Sequence, residues 1–393
     1  MVASRKVFSL EGRGLKLNTA ADIEPHIASL KANEHVEEVW LSGNTLGIGA
    51  CEALADALKN KKNLKVAELA DIFTGRLREE IPLALTALGT ALLTCENLHT
   101  VNLSDNAFGL LAETPLVTFL SQHGPLQHLY LNNNGLGPFC ATSVARSLTK
   151  LAELKKTNPK FPPLETVICG RNRCENGSME AWAEAYKANT GVKTVKMVQN
   201  GIRPEGIAML IKNGLSNCTG LETLDLQDNT FTSPGSEALA KAVVKWEKMV
   251  ELGVGDCLLG KKCSKVAKAL SEGKNKGLKV LRLQYNEIDG NGAKAFKDAL
   301  EKALPVLEKL ELNGNLFSED NEVVLKIKDI FAERGLGGLD ELDDMEEDSD
   351  EEGEEEAEEV EDVVKRAKEE EEQDVALEKD KAVDDLADLL AAV

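Results

Sequence analysis

Three asparagines, Asn132, Asn133 and Asn134, follow one another in the stretch HLYLNNNGLGP, residues 128–138. An amide both donates and accepts hydrogen bonds, so it can close a turn, tie two loops together or hold a polar group of another molecule. One asparagine is enough to end a strand, so a run of three leaves a side chain over for chemistry. A second candidate is Arg76, which ends the stretch DIFTGR, residues 71–76. Its plain use is a surface ion pair with Glu79 or Glu80, which contributes little. Groups able to run a reaction unaided are missing from the sequence: there is no G-x-x-x-x-G-K-[ST] phosphate loop, no nucleophile motif of Ser, His and Asp, and no glutamate–histidine metal motif. The glycines of GNTLGIG, residues 43–49, belong to repeat turns and make no phosphate site. No metal site and no bound cofactor are expected, and as a self-contained enzyme the chain has almost nothing to offer.

What positions these residues is a repeat. The segments VEEVWLSGN, LHTVNLSDN, LQHLYLNNN, LETVICGRN, VKTVKMVQN, LETLDLQDN, LKVLRLQYN and LEKLELNGN all fit L-x-x-L-x-L-x-x-N. Their asparagines are Asn44, Asn106, Asn134, Asn172, Asn200, Asn229, Asn286 and Asn315, and two degenerate copies put Ile72 and Cys257 at the same position. Successive spacings are 28, 34, 28, 38, 28, 29, 28, 29 and 29 residues. The x-L-x-L part alternates with period two and reads as a short strand with its leucines on a core. The asparagine bonds the backbone where the chain turns, and stacked copies form a ladder. Segments such as GACEALADALKN and PGSEALAKAVVKW then carry apolar residues at helical spacing. Strand plus helix in ~28 residues means an α/β leucine-rich-repeat solenoid, a ribonuclease-inhibitor-like crescent with a parallel inner sheet of ten or eleven strands and outer helices. KVFSLEGRGLKLN caps the start and DNEVVLKIKDIFAERG is the last, more charged helix.

Two spacings break the period. Six extra residues around DIFTGRLREEIP lengthen a strand-to-helix loop, and ten around LKKTNPKFPP fall at a helix-to-strand end. Insertions of this kind collect on loops and often make binding surfaces. At and just before the ladder position the loops carry Ser42, Asp105, Asn133, Arg171, Gln199, Asp228 and Tyr285. Most of these read as a solvated rim of turn-forming residues. Asn133 is an exception: Asn134 already fills the ladder, so Asn133 can point out. Arg76, on the lengthened loop, is the other.

Composition sets the outer bounds. The 393 residues are 42% hydrophobic but only 4% aromatic, so leucine and alanine must do the packing. No run approaches ~18 apolar residues and the start has no signal-peptide core, so the chain is expected to be soluble and intracellular. The eight cysteines form no C-x-x-C pair; Cys95 and Cys218 each stand three residues before a repeat-opening leucine, and all eight read as small core residues in a reducing compartment. Residues 340–393 hold 27 acidic and 5 basic residues, which leaves 40 and 41 in residues 1–339. The expected organisation is therefore a near-neutral repeat domain, 1–339, and an acidic, largely disordered tail, 340–393.

With LSGNTLG, DIFTGR, LHTVNLSDNAFG, HLYLNNNGLGP, ICGRNRCENGSM, TVKMVQNGIRPEGI, LDLQDNTFT, LRLQYNEI and LDELDDMEE in view, the chain resembles the Ran GTPase-activating proteins over nearly its whole length. The fungal-type members also end in a polyacidic tail. The resemblance implies an activator of GTP hydrolysis by Ran, serving nucleocytoplasmic transport, whose partner is the GTP form of Ran, with or without a Ran-binding protein. GTP and magnesium would belong to the partner. Most activators of small GTPases insert an arginine finger. The family pattern instead makes Asn133 the catalytic amide, packed against the Ran glutamine that positions the attacking water, and makes Arg76 a docking and orienting residue. Asn132 stands where the family often has histidine and reads as neutral. The GTPase-binding set implied is Asn44, Arg78, Asp105, Asn106, Asn134, Arg171, Arg173, Gln199, Asp228 and Tyr285. A monomer is expected, cytoplasmic and concentrated near the nuclear envelope, with no nucleic-acid or membrane partner. The competing reading is a non-catalytic leucine-rich-repeat inhibitor or scaffold. The tail reads as a solubility device or as long-range attraction for a basic surface. AVDDLADLLAAV at its end reads as an amphipathic helix or an export signal.

Overall fold

Ten strands of three residues fall on the x-L-x core of the ten repeats in the computed structural model, which describes residues 6–346. They are β3 (Glu38–Trp40), β5 (Val66–Glu68), β6 (Thr100–Asn102), β7 (His128–Tyr130), β8 (Thr166–Ile168), β9 (Thr194–Lys196), β10 (Thr223–Asp225), β11 (Glu251–Gly253), β12 (Val280–Arg282) and β13 (Lys309–Glu311). β1 (Val7–Ser9) joins at the start and β14 (Gly338–Leu339) at the end, so the described residues hold a twelve-stranded sheet in strict chain order. Every pair in it is parallel, and each central apolar residue lies beside the next, as Leu129 does beside Val167. β2 (Lys16–Leu17) and β4 (Thr45–Leu46) make a separate parallel pair. The family of apolar residues inside the strand–helix stack forms one continuous buried cluster. Neighbouring helices pack on one another in sequence order, because each repeat can bury its apolar face only against the next.

The asparagine ladder is real and has fixed polarity. Each Nδ2 donates to a carbonyl of the preceding repeat, as Asn134 does to Leu103 O at 3.0 Å and Asn172 to Leu131 O at 2.8 Å. Each Oδ1 accepts the backbone N–H of the preceding ladder residue: Asn106 from Ile72 at 2.9 Å, Asn134 from Asn106 at 3.0 Å, Asn172 from Asn134 at 2.9 Å. Cys257 substitutes for an asparagine by donating its thiol to Leu226 O at 3.4 Å, the carbonyl the amide would have taken.

A second ladder runs along the helix C-termini, built from unlike side chains three residues before each repeat-opening apolar residue. Lys61 donates to Asn33 O at 3.1 Å, Cys95 to Leu58 O at 3.4 Å, Asn189 to Leu148 O at 3.0 Å, Cys218 to Tyr186 O at 3.5 Å, Trp246 to Leu215 O at 3.2 Å and Asn275 to Val243 O at 2.9 Å. Each adds a side-chain donor to a carbonyl of the preceding repeat and so ties successive repeats together. His123 holds Leu98 O at 2.7 Å. Burial pushes its imidazole down to about 4, so the ring is neutral and donates from Nε2. All eight cysteines are buried, and burial raises the Cys51 and Cys140 thiols to about 12, as inert core residues require.

The insertions resolve differently. The six-residue one is a loop that ends at the helix Glu80–Leu92, as read from the sequence. The ten-residue one goes largely into the helix Gly137–Thr157, 21 residues long. Its end is tied down by Lys155, whose ammonium donates to Gly124 O, Leu126 O and Pro162 O at 2.8, 2.6 and 2.6 Å.

The domain boundary read at 339/340 from charge needs correction, because the packed unit runs to Glu346. Asp340 accepts from Leu312 N–H at 2.8 Å and Asn313 N–H at 3.1 Å, which satisfies donors exposed at the end of the stack. Leu342 is buried, and Glu346 N–H donates to Asn315 O at 3.1 Å. These acidic residues are the C-terminal cap, a role that charge counting hides. The expected disorder, the polyacidic run and the terminal helix or export signal concern residues that, from 347 onward, lie outside the described part. Truncation after Leu339 should lower the thermal midpoint by several degrees, whereas truncation after Glu346 keeps every contact named here; differential scanning calorimetry on both forms checks this. Equal midpoints would show that residues 340–346 do not cap the stack.

Candidate site on the strand-to-helix loop edge

After each strand the chain must turn outward before the ladder residue turns it in again. The residue just before the ladder position is left-handed in every repeat: Gly43, Asp71, Asp105, Asn133, Arg171, Gln199, Asp228, Asp256, Tyr285 and Gly314 have φ between 47° and 74°. This conformation throws the side chain outward, away from the core. Glycine, asparagine and aspartate take it readily; other residues take it at a cost of roughly 1–2 kcal/mol. Arg171, Gln199 and Tyr285 adopt it despite that cost, and their side chains are exposed, so the position is where the fold displays side chains.

The three asparagines have three jobs. Asn134 is fully buried in the ladder. Asn132, read from sequence as neutral, accepts Gly170 N–H at 2.7 Å and so joins its repeat to the next. Asn133 is exposed, and its own N–H donates to Gly170 O at 2.9 Å, so Gly170 is gripped from both sides. A Cβ on Gly170 would lie 3.0 Å from Val198 O and 3.2 Å from Asn132 Oδ1, a tight fit that a side chain there could take only with a small shift of its neighbours. A chain of polar contacts supports this grip from the strand face. Asn132 N–H donates to Ser104 Oγ at 3.1 Å, Ser104 N–H to Asn102 Oδ1 at 2.9 Å, and Asn102 Nδ2 to Glu68 Oε1 at 2.7 Å. The Asn133 amide then meets the exposed Asp105 carboxylate, Nδ2 to Oδ1, at 2.9 Å.

Arg76 is not the outward-pointing side chain expected from the sequence, nor is it paired with Glu79 or Glu80. Its Nε donates to Thr45 Oγ1 at 2.9 Å, Nη1 to Asn18 Oδ1 at 2.6 Å, and Nη2 to Thr45 O at 2.9 Å and Leu17 O at 3.4 Å. The half-buried guanidinium thus staples the long loop onto the β2–β4 pair. Gly47 makes room for it, since a Cβ there would lie 3.1 Å from Nη1. Glu80 is used locally, accepting Leu77 N–H at 3.0 Å. Arg76→Ala should therefore cost about 1–3 kcal/mol of stability and open residues 73–79 to protease. Lysine should recover only part, because one ammonium cannot reproduce the planar fork. Thermal melts with limited proteolysis read both effects, and wild-type behaviour of Arg76→Ala would overturn the staple.

The remaining residues of the implied binding set divide by burial. Asn44, Asn106 and Asn134 are at most 4% exposed and saturated with backbone partners, so they are scaffold and are withdrawn from the binding set. Asp105, Arg171, Arg173, Gln199, Asp228 and Tyr285 are exposed along one edge, and Arg78 is exposed on the long loop. Arg173 pairs with Glu175 at 3.4 Å. Burial and then hydrogen bonding to Asp256 hold the Asp228 carboxyl above its usual range. Asp256 was missed by the sequence reading because its repeat is degenerate, although the register points to it. Tyr285 covers Gly314 and donates its hydroxyl to Asp344 Oδ2 at 2.7 Å, so the cap reaches the display edge. Among the described residues no group of His, Cys, Asp or Glu is placed to hold a metal ion, and no helix is long and apolar enough to cross a membrane.

Comparison with known proteins adds relatives to this geometry. A leucine-rich-repeat family model matches residues 217–240 and 274–297. Ran GTPase-activating protein 1 of Saccharomyces cerevisiae is 44% identical over 328 residues, covering 81% of this chain and 80% of the relative. The Xenopus laevis protein of the same name is 38% identical over 80% of this chain and 54% of its own length. The Drosophila melanogaster Ran GTPase-activating protein is 32% identical over 80% of this chain and 53% of its own length, so the match spans about half of the frog and fly proteins. A solved internalin from Listeria monocytogenes overlays with a TM-score of 0.46 at 15% identity, covering 80% of this chain and 76% of the other, a likeness that carries no argument.

Proposed function

The chain belongs to the Ran GTPase-activating protein family, and on that premise we propose that it accelerates GTP hydrolysis by Ran through the amide of Asn133 and not through an arginine finger. The observation that carries this reading is the contrast between the two candidates. Asn133 stands exposed on a left-handed turn, its backbone pinned to Gly170, whereas the Arg76 fork is spent on Asn18, Thr45 and Leu17. Phosphoryl transfer needs little covalent help from a protein; it needs the attacking water and the developing charge held in place. An uncharged amide can do this indirectly, by hydrogen-bonding the Ran glutamine that orients the water. A rigid repeat stack delivers that amide with little loss of conformational freedom.

The partner in this reading is Ran in its GTP form, with or without a Ran-binding protein. The nucleotide and its magnesium arrive with Ran, and the activator acts as a monomer bringing no cofactor. Its place is the cytoplasm, where hydrolysis ends a nuclear transport cycle. Arg76 acts by shaping the long loop, on which the exposed Arg78 then meets the partner. Single-turnover hydrolysis of GTP on Ran, with and without this protein, and on a Ras-type GTPase as control, tests the proposal. Acceleration confined to Ran is expected. Binding to GTP-loaded Ran with no change in hydrolysis rate would favour the non-catalytic binder instead.

A further inference from the structure

Asp105 and Asn133 occupy the same left-handed position in consecutive repeats, with φ 60° and 52°. Both backbones are fixed, Asp105 N–H donating to Asn132 O at 2.8 Å and Asn133 N–H to Gly170 O at 2.9 Å. The freedom left to Asn133 is rotation of its side chain. The last torsion of an asparagine is broad and roughly two-fold, so shape alone does not decide which way the amide faces. A carboxylate accepts hydrogen bonds and donates none. Asp105 therefore selects the orientation seen, with Nδ2 turned toward its Oδ1 at 2.9 Å and the amide oxygen turned away. Shared backbone geometry does not by itself produce such a pair. At the equivalent positions Asp228 and Asp256, two carboxyls meet and one is pushed toward its protonated form.

We propose that Asp105 is a positioning residue for the reaction, fixing the Asn133 amide so that its oxygen is presented to an N–H donor of the partner. This rests on the catalytic reading of Asn133 and specifies it further. The group recognised is a primary carboxamide offering its NH₂, as a glutamine side chain does. A partner group that only accepts hydrogen bonds would meet the wrong end of the amide.

The test is single-turnover hydrolysis on Ran, over a range of activator concentrations, for Asp105→Ala, Asp105→Gly, Asp105→Asn, Asn133→Ala and the Asp105→Ala/Asn133→Ala double variant. Asp105→Gly keeps the left-handed turn without strain and guards against a folding artefact. Both Asp105→Ala and Asp105→Gly should lower the maximal rate roughly 10-fold, as the amide regains its rotamers, with the half-saturating concentration unchanged. Asp105→Asn keeps an acceptor and should fall between these and wild type. In the Asn133→Ala background the Asp105 change should have no further effect. A raised half-saturating concentration at unchanged maximal rate would make Asp105 a docking residue and overturn the proposal. So would full additivity with Asn133→Ala. If Asn133→Ala alone hydrolyses at the wild-type rate, the catalytic reading of Asn133 itself has failed, which the same data distinguish.

Discussion

Asn133→Ala should lower the maximal rate of GTP hydrolysis on Ran by ~10²–10³ while leaving binding to GTP-loaded Ran almost intact. One well-placed hydrogen bond in a closed site is worth roughly 3–4 kcal/mol when it forms mainly in the transition state. The loss should therefore appear in the maximal rate and not in the half-saturating concentration. Fold damage is the competing explanation, and the structure speaks against it. The side chain is exposed, and its hydrogen bond goes to Asp105, itself exposed, and not into the core. Alanine at φ 52° carries a strain of roughly 1 kcal/mol, so Asn133→Gly, free of that strain, should lose the same activity at an unchanged thermal midpoint. Full activity of either variant at saturating Ran would remove the catalytic role and leave Asn133 a rim residue.

The next residue should behave in the opposite way. Asn134→Ala removes the two N–H donors that Nδ2 gives to Leu103 O and Leu131 O at 3.0 Å, with Asn132 O at 3.2 Å sharing one of them, together with the acceptor for Asn106 N–H at 3.0 Å. Leu103 O, Leu131 O and Asn132 O keep Asn106 Nδ2, Asn172 Nδ2 and Asp105 N–H, so the group left without a partner is the buried Asn106 N–H. One orphaned buried donor and the lost Nδ2 bonds cost about 2–4 kcal/mol, a large part of the roughly 5–15 kcal/mol that holds a domain together. Equilibrium urea unfolding should show the midpoint falling without a change in activity per folded molecule at low temperature. Asn134→Asp keeps an acceptor but loses the donors and buries a charge, so it should be no better than alanine. A midpoint within error of wild type would mean that the ladder contributes nothing, against the geometry of every repeat that carries it.

The period of 28–29 residues, the strand–helix unit and the ladder were legible in the sequence because each follows from local pattern and from contact between neighbouring copies. Ten repeats repeat the same signal, so even Ile72 and Cys257 could be placed by register, and Asn133 stood out as the asparagine the ladder did not need. Reading further required the side chains to be in place. The partners of Arg76 lie 58 residues back at Asn18 and 31 at Thr45, on a two-stranded pair that no repeat pattern announces. The acidic cap at residues 340–346 looked like tail because charge density ignores which carboxylate happens to face two orphaned N–H groups. The second ladder was hidden because lysine, cysteine, tryptophan and asparagine make the same tie, a donor to a carbonyl of the preceding repeat, with unlike chemistry. The direction in which the Asn133 amide faces could come only from the tertiary structure: it depends on a carboxylate in the adjacent repeat, and a planar amide has no preference until a neighbour supplies one.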